Sequence, residues 1–180
     1  MPELDIELRT DRLILRPTGV ADAARLAEIQ SNWNVVRMLR LAPWPASEAA
    51  MCAWIGEHAQ ERAAGTAWRF AVTLDGRVIG VADVDDIEGE AGELGYWFDE
   101  ACWGRGYAKE AAGAVLRFAV EGLGLRRLAA GHAADNPASG RVLTHLGFTP
   151  AGDTVKFSRP HGCDAPYRMY RLIVPSTARG

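Results

Sequence analysis

Cysteine is scarce in this chain of 180 residues. The three present, Cys52, Cys102 and Cys163, are odd in number and widely spaced. No Cys-x-x-Cys pair occurs, so neither a disulfide framework nor a thiolate zinc site is predicted. His161-Gly162-Cys163 is the nearest approach to a ligand pair, and it lacks partners; no metal is expected. Free thiols suit a reducing compartment, so the expected location is the cytoplasm. Long apolar runs are missing too. No stretch approaches the roughly 20 residues that a membrane-spanning helix needs, and no membrane partner is expected. Met1-Pro2-Glu3-Leu4-Asp5 has no basic start and no apolar core, so no export signal is expected. Excess positive charge is also absent: the formal net charge is −3. That argues against a nucleic-acid partner held mainly through phosphates. Arg126-Arg127 and Arg37 with Arg40 are the only dense basic spots, and they read as solvated surface.

What is present is ordinary globular material. Hydrophobic residues make up 48% and charged residues 24%, enough for a sizeable core. The length suggests one domain, placed at 1–175, with a frayed tail at 176–180. Six tryptophans are available to line clefts as well as to fill the core.

The pattern along the chain alternates between two periods. Arg12–Arg16 reads as a strand closed by Pro17. Thr18 is expected to cap a helix from Val20 to Gln30, with a short helix from Trp33 to Leu41 after it. Pro43-Trp44-Pro45 breaks the chain, and Ser47 caps a helix of about four turns with Met51, Trp54, Ile55 and His58 on one side. Strands follow at Ala67–Leu74, Val78–Val84 and Gly92–Phe98, the first two joined by an Asp75-Gly76 hairpin turn. An amphipathic helix runs from Tyr107 to Gly122. Then come a strand at Arg127–His132, a helix opened by Asn136-Pro137 and ended near Gly147, and strands near Thr154–Ser158 and Tyr167–Ile173.

The densest signal is Trp103-Gly104-Arg105-Gly106-Tyr107-Ala108-Lys109, set between the third of the hairpin strands and the amphipathic helix. Gly104 and Gly106 let a ligand approach the main chain, and Ala108 nearly preserves that access. The helix start adds open N–H groups and the positive end of its dipole. A pyrophosphate suits such a turn, with Arg105 and Lys109 at its rim. A plain strand-to-helix turn that needs glycine for geometry reads equally well. A dinucleotide fingerprint fails, because its third small position falls on Lys109 and antiparallel strands precede it. A P-loop fails because no Gly-Lys-Ser/Thr follows.

These residues resemble the GNAT superfamily of acetyl-CoA-dependent N-acetyltransferases, in particular its RimJ/RimL-like branch. The signature Q/R-x-x-G-x-G/A is matched by Gly106 and Ala108, with Trp103 at the Q/R position. The likeness extends over Leu8–Arg16, Trp44-Pro45, Glu93-Leu94-Gly95-Tyr96-Trp97, Asn136-Pro137-Ala138-Ser139 and Leu146-Gly147-Phe148. It implies an α/β (α+β) fold: a mixed, mostly antiparallel central sheet of about seven strands, flanked by helices. The fourth and fifth strands, near Trp97 and His132, would splay apart, with Gly95 as a bulge.

The resemblance also implies a site. Main-chain amides from Gly104 through Arg105, Gly106, Tyr107 and Ala108 to Lys109 would hold the pyrophosphate of acetyl-CoA. The backbone of Tyr96, Trp97 and Phe98 would pair with the pantetheine arm. Asn136 would hydrogen-bond that arm, though Asn before Pro is also a good helix cap. Ser139 would lie near the sulfur and protonate the departing thiolate, or be a first-turn polar residue with no special role. The tyrosine that many members use as the acid is replaced here by Leu143.

Transfer would be direct: a neutral amine attacks the thioester, so no cysteine is needed as nucleophile. Glu93 is the expected base, directly or through a water, with His132 second; Glu93 also reads as a solvated strand carboxylate. Trp33, Arg37, Trp44 and Phe157 are candidates to line the acceptor cleft, and Trp33 and Trp44 are assigned to the substrate. The expected acceptor is a protein or peptide N-terminal amine. Small-molecule amines such as antibiotics, polyamines or amino acids are the alternative, as is a non-catalytic acyl-CoA sensor. A homodimer stays open.

Overall fold

The computed structural model describes residues 6–175; the tail at 176–180 lies outside the described residues. One eight-stranded sheet organises the chain: β1 (Leu8–Arg9), β2 (Ile14–Pro17), β3 (Trp68–Leu74), β4 (Arg77–Glu88), β5 (Ala91–Phe98), β6 (Arg127–Ala133), β7 (Thr149–Ser158) and β8 (Cys163–Ile173). The spatial order is β1-β2-β3-β4-β5-β6-β8-β7. Every neighbouring pair is antiparallel except β5 and β6. The helices are α1 (Ala23–Gln30), α2 (Trp33–Val36), α3 (Glu48–Ala64), α4 (Tyr107–Arg117) and α5 (Pro137–His145).

Strand alternation sorts the helices onto two faces. Trp68, Phe70, Val72, Ala82, Val84, Leu94 and Phe98 pack with the α4 residues Ala111, Ala112 and Val115 and with Leu143 of α5. Ala71, Val81 and the half-buried Trp97 point the other way, toward Leu26 of α1 and Met51 and Ile55 of α3. The sheet is thus covered on both sides.

The strand count is one more than the seven expected. Leu8–Arg16 is not one run, because Thr10 turns the chain. Its amide donates to the Leu13 carbonyl at 3.0 Å, and its hydroxyl accepts from the Leu13 amide at 2.9 Å. Leu8–Arg9 then folds back on Ile14–Leu15 as a short edge strand.

Three other expectations change. Thr18 does not cap a helix: its hydroxyl lies 2.6 Å from His58 Nδ1 in the core. Gly19 and Asp22 open the helical run instead, through a single 3-10 turn at Val20–Asp22, with Asp22 Oδ2 accepting from the Gly19 amide. The short helix after it ends at Val36 rather than Leu41. Gly95 is not a bulge, for it pairs in register with Asp83, and the register shift lies at Asp85–Glu88, where Asp86 has a φ of 47°. Gly95 is instead a vacancy filled by its neighbour: a Cβ there would collide with Asp83 Oδ1.

The hairpin turn is as expected. Asp75 and Gly76 both have positive φ, 49° and 79°, as a two-residue type I′ turn requires. Ser47 caps α3, accepting from the Ala50 amide at 3.1 Å.

The feature that positions the site lies between β5 and β6. They pair over only three positions, Ala91 with Arg127, Gly92 with Leu128 and Glu93 with Ala129. Beyond Glu93 they part: β6 continues against β8 alone, from Ala130–Tyr170 to Ala133–Tyr167. Leu94–Phe98 therefore presents one main-chain edge without a strand partner among the described residues. This is the splay expected between the strands bearing Trp97 and His132.

Candidate functional site

The glycine turn leads from β5 to α4 and is tied down from three sides. Trp103 Nε1 donates to the Phe98 carbonyl at 3.0 Å. Asp99 accepts from the Ala101 amide and pairs with the Arg25 guanidinium from α1. Gly104 and Gly106 have φ of 73° and 81°, the left-handed region that glycine enters without strain. Arg12 closes the third side. Its Nη1 donates to the Arg105 carbonyl at 3.0 Å, its Nε donates to Glu110 at 2.7 Å, and its guanidinium lies 4.5 Å from the Tyr107 ring centroid.

Glu110 is the hub of that arrangement. It also accepts from the Thr10 hydroxyl at 2.6 Å and from the Arg12 amide at 2.9 Å. Burial opposes its ionisation, but the hydrogen bonds from Thr10 and Arg12 outweigh burial and hold its carboxyl below the usual range. The first intrahelical bond of α4 runs from the Glu110 amide to the Gly106 carbonyl. The amides of Tyr107, Ala108 and Lys109 precede it and are the open donors of the helix start. Arg105 and Lys109 are exposed at the rim, while the Tyr107 ring is buried and offers only its backbone.

The opposite wall of the splay is α5. Asn136 caps it, with its side-chain oxygen accepting from the Ser139 amide at 3.3 Å and Pro137 in the first turn. That leaves the Asn136 amide group as a donor, so capping and ligand binding are compatible. Ser139 Oγ lies 2.9 Å from the phenol of Tyr96 on β5, and the phenol is 3.2 Å from the Ser139 carbonyl. Burial pushes the Tyr96 phenol up to about 12, so it stays protonated. Leu143 is buried in the core and carries no acid.

On the other face of the sheet lies a cluster of charged groups. Glu93 sits where the β5–β6 pairing ends. Burial first, and then the Asp85 charge, raise its pKa. The Lys156 and Arg40 charges act in the opposite direction. Arg69 is the counter-ion of the neighbouring carboxylates: it pairs with Glu61 of α3 at 2.9 Å, Asp85 at 2.7 Å and Asp83 at 3.2 Å. Asp83 is pushed up to about 7, because its burial outweighs the pull of Arg69 and the Asp85 charge acts in the same direction as burial.

An aromatic cluster is built by parts far apart in the chain. Trp33 of α2 stacks edge-on against Trp44 at 5.1 Å and against His161 at 5.3 Å between ring centroids. Trp33 and Trp44 remain 39% and 42% exposed. The Arg159 amide donates to the Arg40 carbonyl at 2.8 Å and ties the β7–β8 hairpin tip to the loop after α2. Arg37 pairs with Asp135 at 2.5 Å, bridging α2 to the loop before α5. Phe157 is 54% exposed on β7 and makes no aromatic contact with this cluster.

His132 does not join Glu93. Glu93 is paired with Ala129, so alternation turns His132 to the α4–α5 face. There its Nδ1 donates to the Ala133 carbonyl at 2.7 Å, and its Nε2 sits beneath Gly140. Sequence reasoning missed Arg12, Glu110, Arg69 and the Tyr96 hydroxyl. Each acts through a contact with a residue distant in sequence, although an Arg close before the opening apolar run and a Glu in the first turn of an anion-binding helix were visible. Among the described residues no cluster of three or more His, Cys, Asp or Glu is placed to hold a metal. No helix among them is long and apolar enough to cross a membrane.

Comparison with known proteins agrees with this geometry. The profile of the acetyltransferase (GNAT) domain matches residues 12–149. The uncharacterised N-acetyltransferase YoaA of Bacillus subtilis (strain 168) is 28% identical over 172 residues, spanning 93% of this chain and 97% of the relative. The ribosomal protein uS5-alanine N-acetyltransferase of Escherichia coli (strain K12) is 28% identical over 159 residues, 82% of this chain and 80% of the relative. The solved structure of RimL, a ribosomal L7/L12 α-N-protein acetyltransferase in complex with coenzyme A, superposes with a TM-score of 0.83 at 21% identity, covering 94% of this chain and 98% of its own. The splayed strands, the glycine turn at a helix start and a domain match over most of the chain converge: this protein belongs to the GNAT family of acetyltransferases.

Proposed function

We propose that this protein is a cytoplasmic N-acetyltransferase that moves the acetyl group of acetyl-CoA directly onto an N-terminal α-amine of a protein or peptide. The observation that carries the reading is the parting of β5 and β6 after Glu93. It opens a slot with the glycine turn at one end and a buried-edge carboxylate at the other. The pyrophosphate lies against the open amides from Gly104 to Lys109, with Arg105 and Lys109 at the rim. The pantetheine arm adds to the free edge at Tyr96, Trp97 and Phe98, as an extended peptide adds to a sheet. Asn136 donates to the arm from the other wall, and Ser139 donates to the sulfur.

The acceptor enters from the Glu93 face, under Trp33 and Trp44. Glu93 removes the proton, directly or through a water, as nitrogen attacks the thioester carbonyl. A main-chain N–H of the free β5 edge polarises that carbonyl. The thiolate then leaves. The choice of an α-amine rests on the strength of the base. An α-amino group ionises near 7.7–8.0 and a lysine near 10.4. A carboxylate raised by burial and by Asp85 suits the former, which is already partly neutral at physiological pH. The likeness to the uS5-alanine N-acetyltransferase supports the same acceptor class.

The test is a thiol-release screen with acetyl-CoA across N-terminal peptides, polyamines, amino acids and aminoglycosides. Turnover concentrated on N-terminal peptides is expected. Turnover confined to a small-molecule amine would redirect the acceptor assignment, and tight acetyl-CoA binding with no acceptor at all would make the protein a sensor.

A further inference from the structure

Tyr96 and Ser139 stand on opposite walls of the donor slot, one on β5 and the other in the first turn of α5. Their hydroxyls are 2.9 Å apart, and the phenol is also 3.2 Å from the Ser139 carbonyl. We propose that Tyr96 is the positioning residue for Ser139: its phenol engages Ser139 Oγ and leaves the serine proton free to point at the departing coenzyme A sulfur. This rests on the reading of Ser139 as the donor to that sulfur.

A serine hydroxyl has one proton and two lone pairs, as does a phenol. Alone in the first turn of a helix, a serine hydroxyl turns readily to nearby backbone groups. Here the Ser139 amide is already taken by the Asn136 side chain. The single phenol proton has two acceptors on this residue, Ser139 Oγ at 2.9 Å and the Ser139 carbonyl at 3.2 Å; directed to Oγ, the nearer, it excludes the serine proton from Tyr96 and leaves that proton the slot as its outlet. Burial keeps the phenol protonated, up to about 12, so this donor persists at any pH where the amine reacts. A phenol-to-hydroxyl-to-sulfur chain also strengthens each bond in it.

The step balances without an added reagent. The amine nitrogen forms its bond to the acetyl carbon, and the carbon–sulfur bond breaks with its electron pair left on sulfur. Ser139 hydrogen-bonds that thiolate. The proton given up by the amine on the Glu93 side is matched by one taken up by sulfur from solvent, and Tyr96 ends as it began.

The experiment compares Tyr96→Phe, Ser139→Ala and the double variant, using acetyl-CoA and an analogue with a more acidic leaving thiol. Loss of one such hydrogen bond is expected to lower kcat about tenfold in Tyr96→Phe, with KM for acetyl-CoA little changed. Adding Tyr96→Phe to Ser139→Ala is expected to cost nothing further, and both deficits are expected to shrink with the acidic thiol. A Tyr96→Phe deficit that persists in full in the Ser139→Ala background, or that falls on KM alone, overturns the proposal. If Ser139→Ala itself leaves kcat intact, the donor reading of Ser139 fails and takes this inference with it. Should Tyr96→Phe fold poorly, 3-fluorotyrosine at position 96 keeps ring and hydroxyl while strengthening the donor. A kcat indifferent to that change counts against the role.

Discussion

Glu93 bears the hardest chemical demand, because a carboxylate must take a proton from an amine. Its pKa is raised by burial and by Asp85, which makes the ionised form a better base. The sign follows: kcat falls as pH drops through the raised Glu93 pKa, because protonation removes the base. Glu93→Gln is expected to lower kcat about 100-fold, the low end of general-base contributions, and to remove that acid limb from the kcat–pH profile. Asp85→Asn deletes the neighbouring charge and is expected to move the limb to lower pH. A limb that stays in place in Asp85→Asn would mean that Glu93 is not the group titrating. Gly95 was legible as unusual, but its reason was not. The sequence shows a glycine in a strand, and only the cross-strand register shows Asp83 beneath it. Gly95→Ala is expected to destabilise the fold by about 1–3 kcal/mol through overpacking, read by chemical denaturation.

At the scale of elements, local patterns reported themselves and distant pairings did not. The Asp75-Gly76 hairpin, the Ser47 cap and the helix from Tyr107 each depend on residues within a few positions, and all three appear where expected. The end of that helix differs slightly, since the chain widens into a π turn at Phe118–Gly122, where the absence of a Gly122 Cβ makes room for the Phe118 ring. Strand β8 begins at Cys163, four residues before the expected Tyr167. Its extra length, Cys163-Asp164-Ala165-Pro166, is set by pairing with Val155–Ser158 of β7, and Pro166 argues against a strand there in the sequence. The clamp on the glycine turn spans nearly a hundred positions, from Arg12 to Glu110, and no local pattern links the two. The same holds for the aromatic cluster, where His161 stacks on Trp33, which in turn meets Trp44; in the sequence His161 read only as half of a ligand pair. Glu110→Gln is expected to loosen the turn by weakening a charge-assisted hydrogen-bond set, raising KM for acetyl-CoA about tenfold with a smaller change in kcat. An effect on kcat alone would show that Glu110 does not serve donor binding.

For the molecule as a whole, the splay that opens the slot leaves Leu94–Phe98 with one edge lacking a strand partner among the described residues, and Asp83 of β4 lies buried against Gly95 of that strand. Asp83 is an acid whose pKa is raised on folding, to about 7, from an unfolded value near 3.9. Between those two pH values the folded state holds more protons than the unfolded one. Stability is therefore expected to fall as pH rises through this window, after allowance for other groups. Asp83→Asn is expected to flatten that slope in urea melts at stepped pH, and an unchanged slope would assign it elsewhere. Acetyl-CoA is expected to slow amide exchange in Leu94–Phe98, the edge to which the pantetheine arm adds. The central claim is tested most directly by mass mapping of the product from a peptide with one free α-amine and one internal lysine, incubated with this protein and acetyl-CoA. The account predicts one acetyl group on the α-amine for each coenzyme A released. Coenzyme A release without α-acetylation, or acetylation of the lysine alone, would contradict it.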